Sequence, residues 1–175
     1  MIPKKRLAIF IVGLVSLMGG VFYAVTPVIV VALYDDNGRE NFKFSPPDGC
    51  FTIRFLHSWA KTHVDEIFQV GAGNSIVLKE TIYEDFGAGL PHEPERGSSM
   101  SSMTVENGKI HIRDIDRIIP DLQIRTGRFI AAHTLIYGDK RVPFSDFAAP
   151  GGVVIFKVQN MKRHVLWFGK MKRAM

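Results

Sequence analysis

Apolar and polar residues alternate in three short runs, Cys50–His57, Val64–Val70 and Ser75–Tyr83. Side chains on a strand point to opposite faces in turn, so this period of two predicts three neighbouring strands. Phe51, Ile53, Phe55 and His57 share a face of the first. Val64, Glu66, Phe68 and Val70 share a face of the second, and Ile76, Leu78, Glu80 and Ile82 a face of the third. Each apolar face thus carries one ionisable residue: His57, Glu66 or Glu80. A buried charge is costly unless paired. The pattern predicts that these three lie together as a network, with a cation such as Arg125 balancing the carboxylates.

The same reading extends along the chain. Residues 34–49 form a linker turning into an edge strand around Phe42–Phe44, and Ser45-Pro-Pro-Asp-Gly49 breaks it. Met103–Ile112 predicts a hairpin, because Asn107-Gly108 suits a two-residue turn with positive φ at both positions. A short strand follows at Leu122–Gly127, a longer one at Phe129–Tyr137 and a central one at Val153–Val158, and His164–Phe168 is placed to close the sheet. His133 lies on an apolar strand face and reads as a core histidine. Turn signals recur roughly every 8–12 residues, and no amphipathic helix stands out. The expected fold is all-β: an antiparallel sandwich or barrel of about nine strands, carried on one N-terminal transmembrane helix.

That helix is predicted over Leu7–Leu33, which are 27 residues without a formal charge. At 1.5 Å per residue such a helix would reach roughly 40 Å, more than the ~30 Å hydrocarbon core of a bilayer. Pro27 would kink or shorten it. Lys4, Lys5 and Arg6 precede it, so residues 1–6 should be cytoplasmic and the domain at 50–169 should lie across the inner membrane, in the periplasm or outside the cell. The lipid bilayer is thus an expected partner. Cleavage of a signal peptide after Ala32 is the alternative, but its apolar region would ordinarily be shorter. Ser16, Gly20 and Ala24 recur at intervals of four, a spacing that lets another membrane helix approach closely.

Charge refines this picture. The net +5 is unevenly spread: residues 1–33 carry +3 and residues 157–175 carry +6, leaving −4 on the body between them. The basic C-terminal stretch, Lys162-Arg163 and Lys170–Arg173, reads as a solvated end; the alternatives are that it lies on anionic lipid headgroups near the anchor or meets an acidic partner. With no nucleic-acid-binding motif present, a body of this charge argues against a nucleic-acid partner. Cys50 is the only cysteine and cannot form an intrachain disulfide.

His57-Ser58, Val64-x-Glu66, Glu80-Thr81, the loop Gly87-Ala-Gly-Leu-Pro91 and Leu122-x-Ile-Arg-Thr-Gly127 together resemble a bacterial family of unknown function (domain of unknown function eighteen-fifty). The resemblance spans about residues 50–160, and Trp59 departs from it where a smaller aliphatic residue is expected. Members resemble small envelope proteins whose genes neighbour TAXI-type TRAP transporters, secondary systems for organic acids and amino acids. The resemblance therefore implies a non-enzymatic accessory role, with partners in the transporter's membrane subunit and its extracytoplasmic solute-binding protein. It implies no catalytic residues. Phe86, Gly87, Ala88, Gly89, Leu90 and Pro91 form the expected docking loop. A metal reading would draw on His57, His63, Glu66 and His92, but no established ligand spacing joins them, and no cofactor is expected. Ser58 and His57 are adjacent on a strand and would face opposite ways, which makes a poor nucleophile–base pair.

Overall fold

A computed structural model describes residues 4–84, 102–128 and 132–165. Among these residues one helix, α1 (Lys4–Val25), precedes twelve strands: β1 (Pro27–Tyr34), β2 (Glu40–Phe44), β3 (Cys50–Leu56), β4 (His63–Val70), β5 (Ile76–Tyr83), β6 (Ser102–Glu106), β7 (Lys109–Arg113), β8 (Arg117–Ile119), β9 (Gln123–Arg125), β10 (Thr134–Tyr137), β11 (Lys140–Pro143) and β12 (Val153–Lys162). The chain divides into two compact units. One is Val30–Gln159; the other joins Met1–Ile29 to Asn160–Met175.

In the larger unit the strands make two sheets. The first has the order β2-β1-β12-β9; the second runs β11-β10-β3-β4-β5-β7-β6, with β8 also paired to β5. β3, β4 and β5 are the neighbours that the alternation predicted, and their pairings are antiparallel. The sheets enclose one apolar core, to which the first contributes Leu33, Phe44, Val154 and Phe156 and the second Phe51, Ile53, Phe68 and Leu135. Phe51 is its pivot: its ring centroid lies 5.3 Å from Phe68, 5.5 Å from Phe44 and 5.9 Å from Phe156. The architecture is a sandwich, with no closed barrel among the described residues. The hairpin turn is as expected, with φ +52° at Asn107 and +74° at Gly108.

Two expectations fail here, each for a local reason. The helix does not continue to Leu33. It stops at Val25, and Pro27–Tyr34 is a strand whose Val30–Leu33 are fully buried. Pro27 has no N–H to donate and its ring would clash with the carbonyl four residues back. The Tyr23 carbonyl is satisfied instead by the Thr26 hydroxyl, at 2.7 Å. Beyond it, the β-branched run Val28–Val31 favours the strand. One uncharged stretch therefore holds two elements. Among the described residues, no helix is long and apolar enough to cross a membrane.

The second failure lies on β5. Phe68 pairs with Leu78, but Ile67 pairs with Glu80, so Lys79 is an extra residue and a β-bulge. A bulge exchanges the faces of everything beyond it. Ile76 and Leu78 face the core as predicted, but thereafter Thr81 and Tyr83 are buried. Glu80 and Ile82 turn to the outer face.

At the other end of the chain, residues 163–165 are helical. The expected strand at His164–Phe168 is thus absent where the chain is described. The 134–137 strand is shorter than expected, and β11 was not foreseen.

Candidate functional site

The bulge places Glu80 beside the β6–β7 hairpin. Glu80 Oε1 lies 2.8 Å from His111 Nδ1 and accepts from Arg113 Nε at 3.1 Å. Arg113 is also the hub of the hairpin's outer face. Nη1 and Nη2 donate to the two oxygens of Glu106, at 2.7 and 2.8 Å, and Nη1 reaches Thr104 Oγ1 at 3.1 Å. His111 Nδ1 is also 3.3 Å from Arg113 Nη2. One ring nitrogen cannot donate and accept at once, and the shorter approach to the carboxylate makes Nδ1–H the donor. These bonds hold the Glu106 carboxyl down at about 2, Arg113 first and Thr104 second. The same carboxylate raises the Arg113 guanidinium.

A parallel arrangement braces the adjacent strands. Arg54 on β3 donates through Nε and Nη2 to the two oxygens of Asp65 on β4, both at 2.6 Å. The two residues are direct register partners. Lys79, the bulge residue, is ion-paired with Asp116. The outer face of the larger sheet is thus a lattice of cross-strand charge pairs, of a kind that fixes register.

The remaining residues of the expected network are scattered. His57 follows the end of β3, in a turn closed by its own N–H to the Thr62 carbonyl at 2.9 Å; its Nδ1 accepts from the Ala60 N–H at 3.2 Å. Glu66 sits between Ile53 and Thr81 in register, on the core-facing side. Burial pushes its carboxyl up, and the Arg117 charge partly offsets this. Among the described residues Glu66 accepts no hydrogen bond. Arg125 lies on β9, in the other sheet, and donates to the Gly151 carbonyl at 3.1 Å. So His57, Glu66, Glu80 and Arg125 do not form one network; the cation beside Glu80 is Arg113. His63 is exposed, and no three metal-ligating side chains converge among the described residues. His92 and the loop Phe86–Pro91 lie outside them. Trp59 is exposed in a turn, so the departure from the family pattern leaves the core untouched.

The sequence reading missed Arg113, Glu106 and Arg54–Asp65. Once Asn107-Gly108 fixes the hairpin, Thr104 and Glu106 must share a face with His111 and Arg113, so that part was readable. Glu80's share in it was not, because it depends on the bulge.

Two cavities lie away from this lattice. One, of about 220 Å³, has Asp35 at its rim. That carboxylate already accepts from Arg39 N–H at 2.9 Å, Asn37 N–H at 3.0 Å and Asn41 Nδ2 at 3.3 Å. The other, of about 490 Å³, is lined by His133, Thr134, Phe144 and Ser145 among others. The His133 ring stacks on Phe55, 5.5 Å between centroids.

Residues 51–144 match the family described as "Domain of unknown function (DUF1850)". The chain belongs to this family. The match runs from the first core residue of β3 to the turn after β11, so it takes in the outer-face lattice and leaves out α1, β1, β2 and β12. No curated protein and no solved structure matches the chain.

Proposed function

We propose that this DUF1850 protein is a membrane-attached, non-enzymatic accessory subunit or partner of a TAXI-type TRAP transporter for organic acid or amino acid uptake. The observation that carries the membrane part is the surface of α1. From Phe10 to Tyr23 its apolar side chains are exposed on every side, among them Phe10 (68%), Leu17 (66%) and Phe22 (72%). A helix that is apolar on every side is stable only when something apolar covers it, and a bilayer does so. The uncharged run begins at Leu7, directly after Lys4-Lys5-Arg6. The positive end stays in the cytoplasm and the β-sandwich is held on the periplasmic or extracellular side.

The transporter part rests on the family resemblance. It is supported by an open helix face: a side chain added at Gly20 would meet nothing within 4 Å, and Ser16 is exposed one turn away. The test is co-purification with the transporter's membrane subunit in mild detergent, comparing wild type with Gly20→Leu. Wild type should associate and Gly20→Leu should bind less. Failure of the wild type to associate removes the proposal. The His133-lined cavity favours a second reading, a membrane-tethered ligand-binding module. A rise in unfolding temperature with small organic acids, without transporter association, would select it.

A further inference from the structure

The residues that follow β12 meet the chain where α1 finishes. The Arg163 backbone N–H donates to the Thr26 carbonyl at 3.1 Å. Its Nε reaches Thr26 Oγ1 at 3.4 Å and its Nη1 donates to the Tyr23 hydroxyl at 3.2 Å. The guanidinium carbon also lies over the Tyr23 ring, 4.5 Å from the centroid. His164 Nδ1–H donates to the Ala24 carbonyl at 3.0 Å. A helix end leaves carbonyls open and carries partial negative charge, so these donors and this cation suit the position.

The arrangement leaves binding capacity unused. A guanidinium has five N–H donors in a planar fork. Nε and one donor of Nη1 are engaged, and Nη2 has no hydrogen-bond partner among the described residues. Lys162 is exposed next to it, and residues 157–175 contain no acid to neutralise either charge. Directly along α1 lie Phe22, Met18 and Leu17, all exposed. A cationic fork thus stands at the edge of an apolar surface, with an aromatic ring between them. Tyrosine and arginine take this arrangement where hydrocarbon meets headgroups.

We infer that Arg163 and Lys162, oriented by Tyr23 and Thr26, bind the phosphate of an anionic phospholipid and fix the depth of α1 in the bilayer. This deepens the membrane-attached reading and rests on it. The planar fork matches phosphate oxygens, and the apolar helix surface beside it would receive the acyl chains of the same lipid.

The test uses the full chain in nanodiscs of phosphatidylcholine mixed with phosphatidylglycerol. Lipids retained after gentle release are counted by native mass spectrometry. Wild type should retain phosphatidylglycerol in preference, and Arg163→Ala should lower that preference about five-fold, as expected for one basic residue at a lipid surface. Lys162→Ala, at an exposed side chain, should lower it in the same sense and guards against loss of fold. Excess inorganic phosphate should not displace the lipid. Equal retention by wild type and both variants, with all three still membrane-bound after carbonate washing, overturns the headgroup site alone. So does displacement by free phosphate. Release of the wild type by the wash overturns the membrane reading itself.

Discussion

Glu66→Gln should stabilise the protein near neutral pH. Glu66 stands on the core-facing side of β4, between Ile53 and Thr81, and burial raises its carboxyl above the ordinary 4.5. A carboxylate fully withdrawn from water without a hydrogen bond costs upward of about 1–3 kcal/mol; Glu66 is half-buried and Arg117 returns part of the cost, so its penalty lies at the low end of that range. Glutamine keeps the shape and removes the charge, so a gain of about 1 kcal/mol is expected. The sign with pH follows from linkage. A carboxyl raised in the folded state binds its proton more tightly there than in the unfolded chain. Ionisation therefore destabilises the wild type progressively as pH climbs from about 4.5 through the raised folded value. Below that window the carboxyl is neutral in both states and the variant's advantage should vanish. Urea unfolding of both proteins across this range, in the same detergent, reads the difference directly. A variant less stable than wild type at neutral pH, or a difference that does not change with pH, would refute the reasoning. Either would mean that the carboxylate is satisfied where it stands.

Phe51→Ala should cost about 3–5 kcal/mol, because Phe51 is 2% exposed and joins both sheets through Phe44, Phe68 and Phe156. A cost under about 1 kcal/mol in urea unfolding would argue against the shared core. Glu106 should titrate at about 2, and Arg113→Ala should return it toward 4.5, as followed by carboxyl NMR shifts. An unshifted Glu106 in the wild type would dissolve the outer-face lattice.

The three central strands were legible in the sequence because each keeps strict alternation over its first residues. So was the β6–β7 hairpin, whose Asn-Gly pair dictates the turn. Two features were not, and for different reasons. At Pro27 the hydrophobicity does not change, only the backbone does, so composition merges a helix with the buried strand Val30–Leu33. At Lys79 nothing in the residue types announces an extra position, and one such residue reverses every later face. The expected gathering of His57, Glu66 and Glu80 failed on that reversal and on the early end of β3. The Arg113–Glu106 pair was readable once the hairpin register was fixed. It is a cross-strand ion pair, and a reading that looked for charges on apolar faces passed over it.

Cys50, the only cysteine, is exposed and stands at the start of β3, and it tests the arrangement directly. Intact spheroplasts are treated with a membrane-impermeant maleimide, and their membranes are then washed with carbonate. The account predicts that Cys50 is labelled from outside and that the labelled chain stays in the membrane pellet. Labelling only after lysis, or a chain recovered in the supernatant, would contradict it.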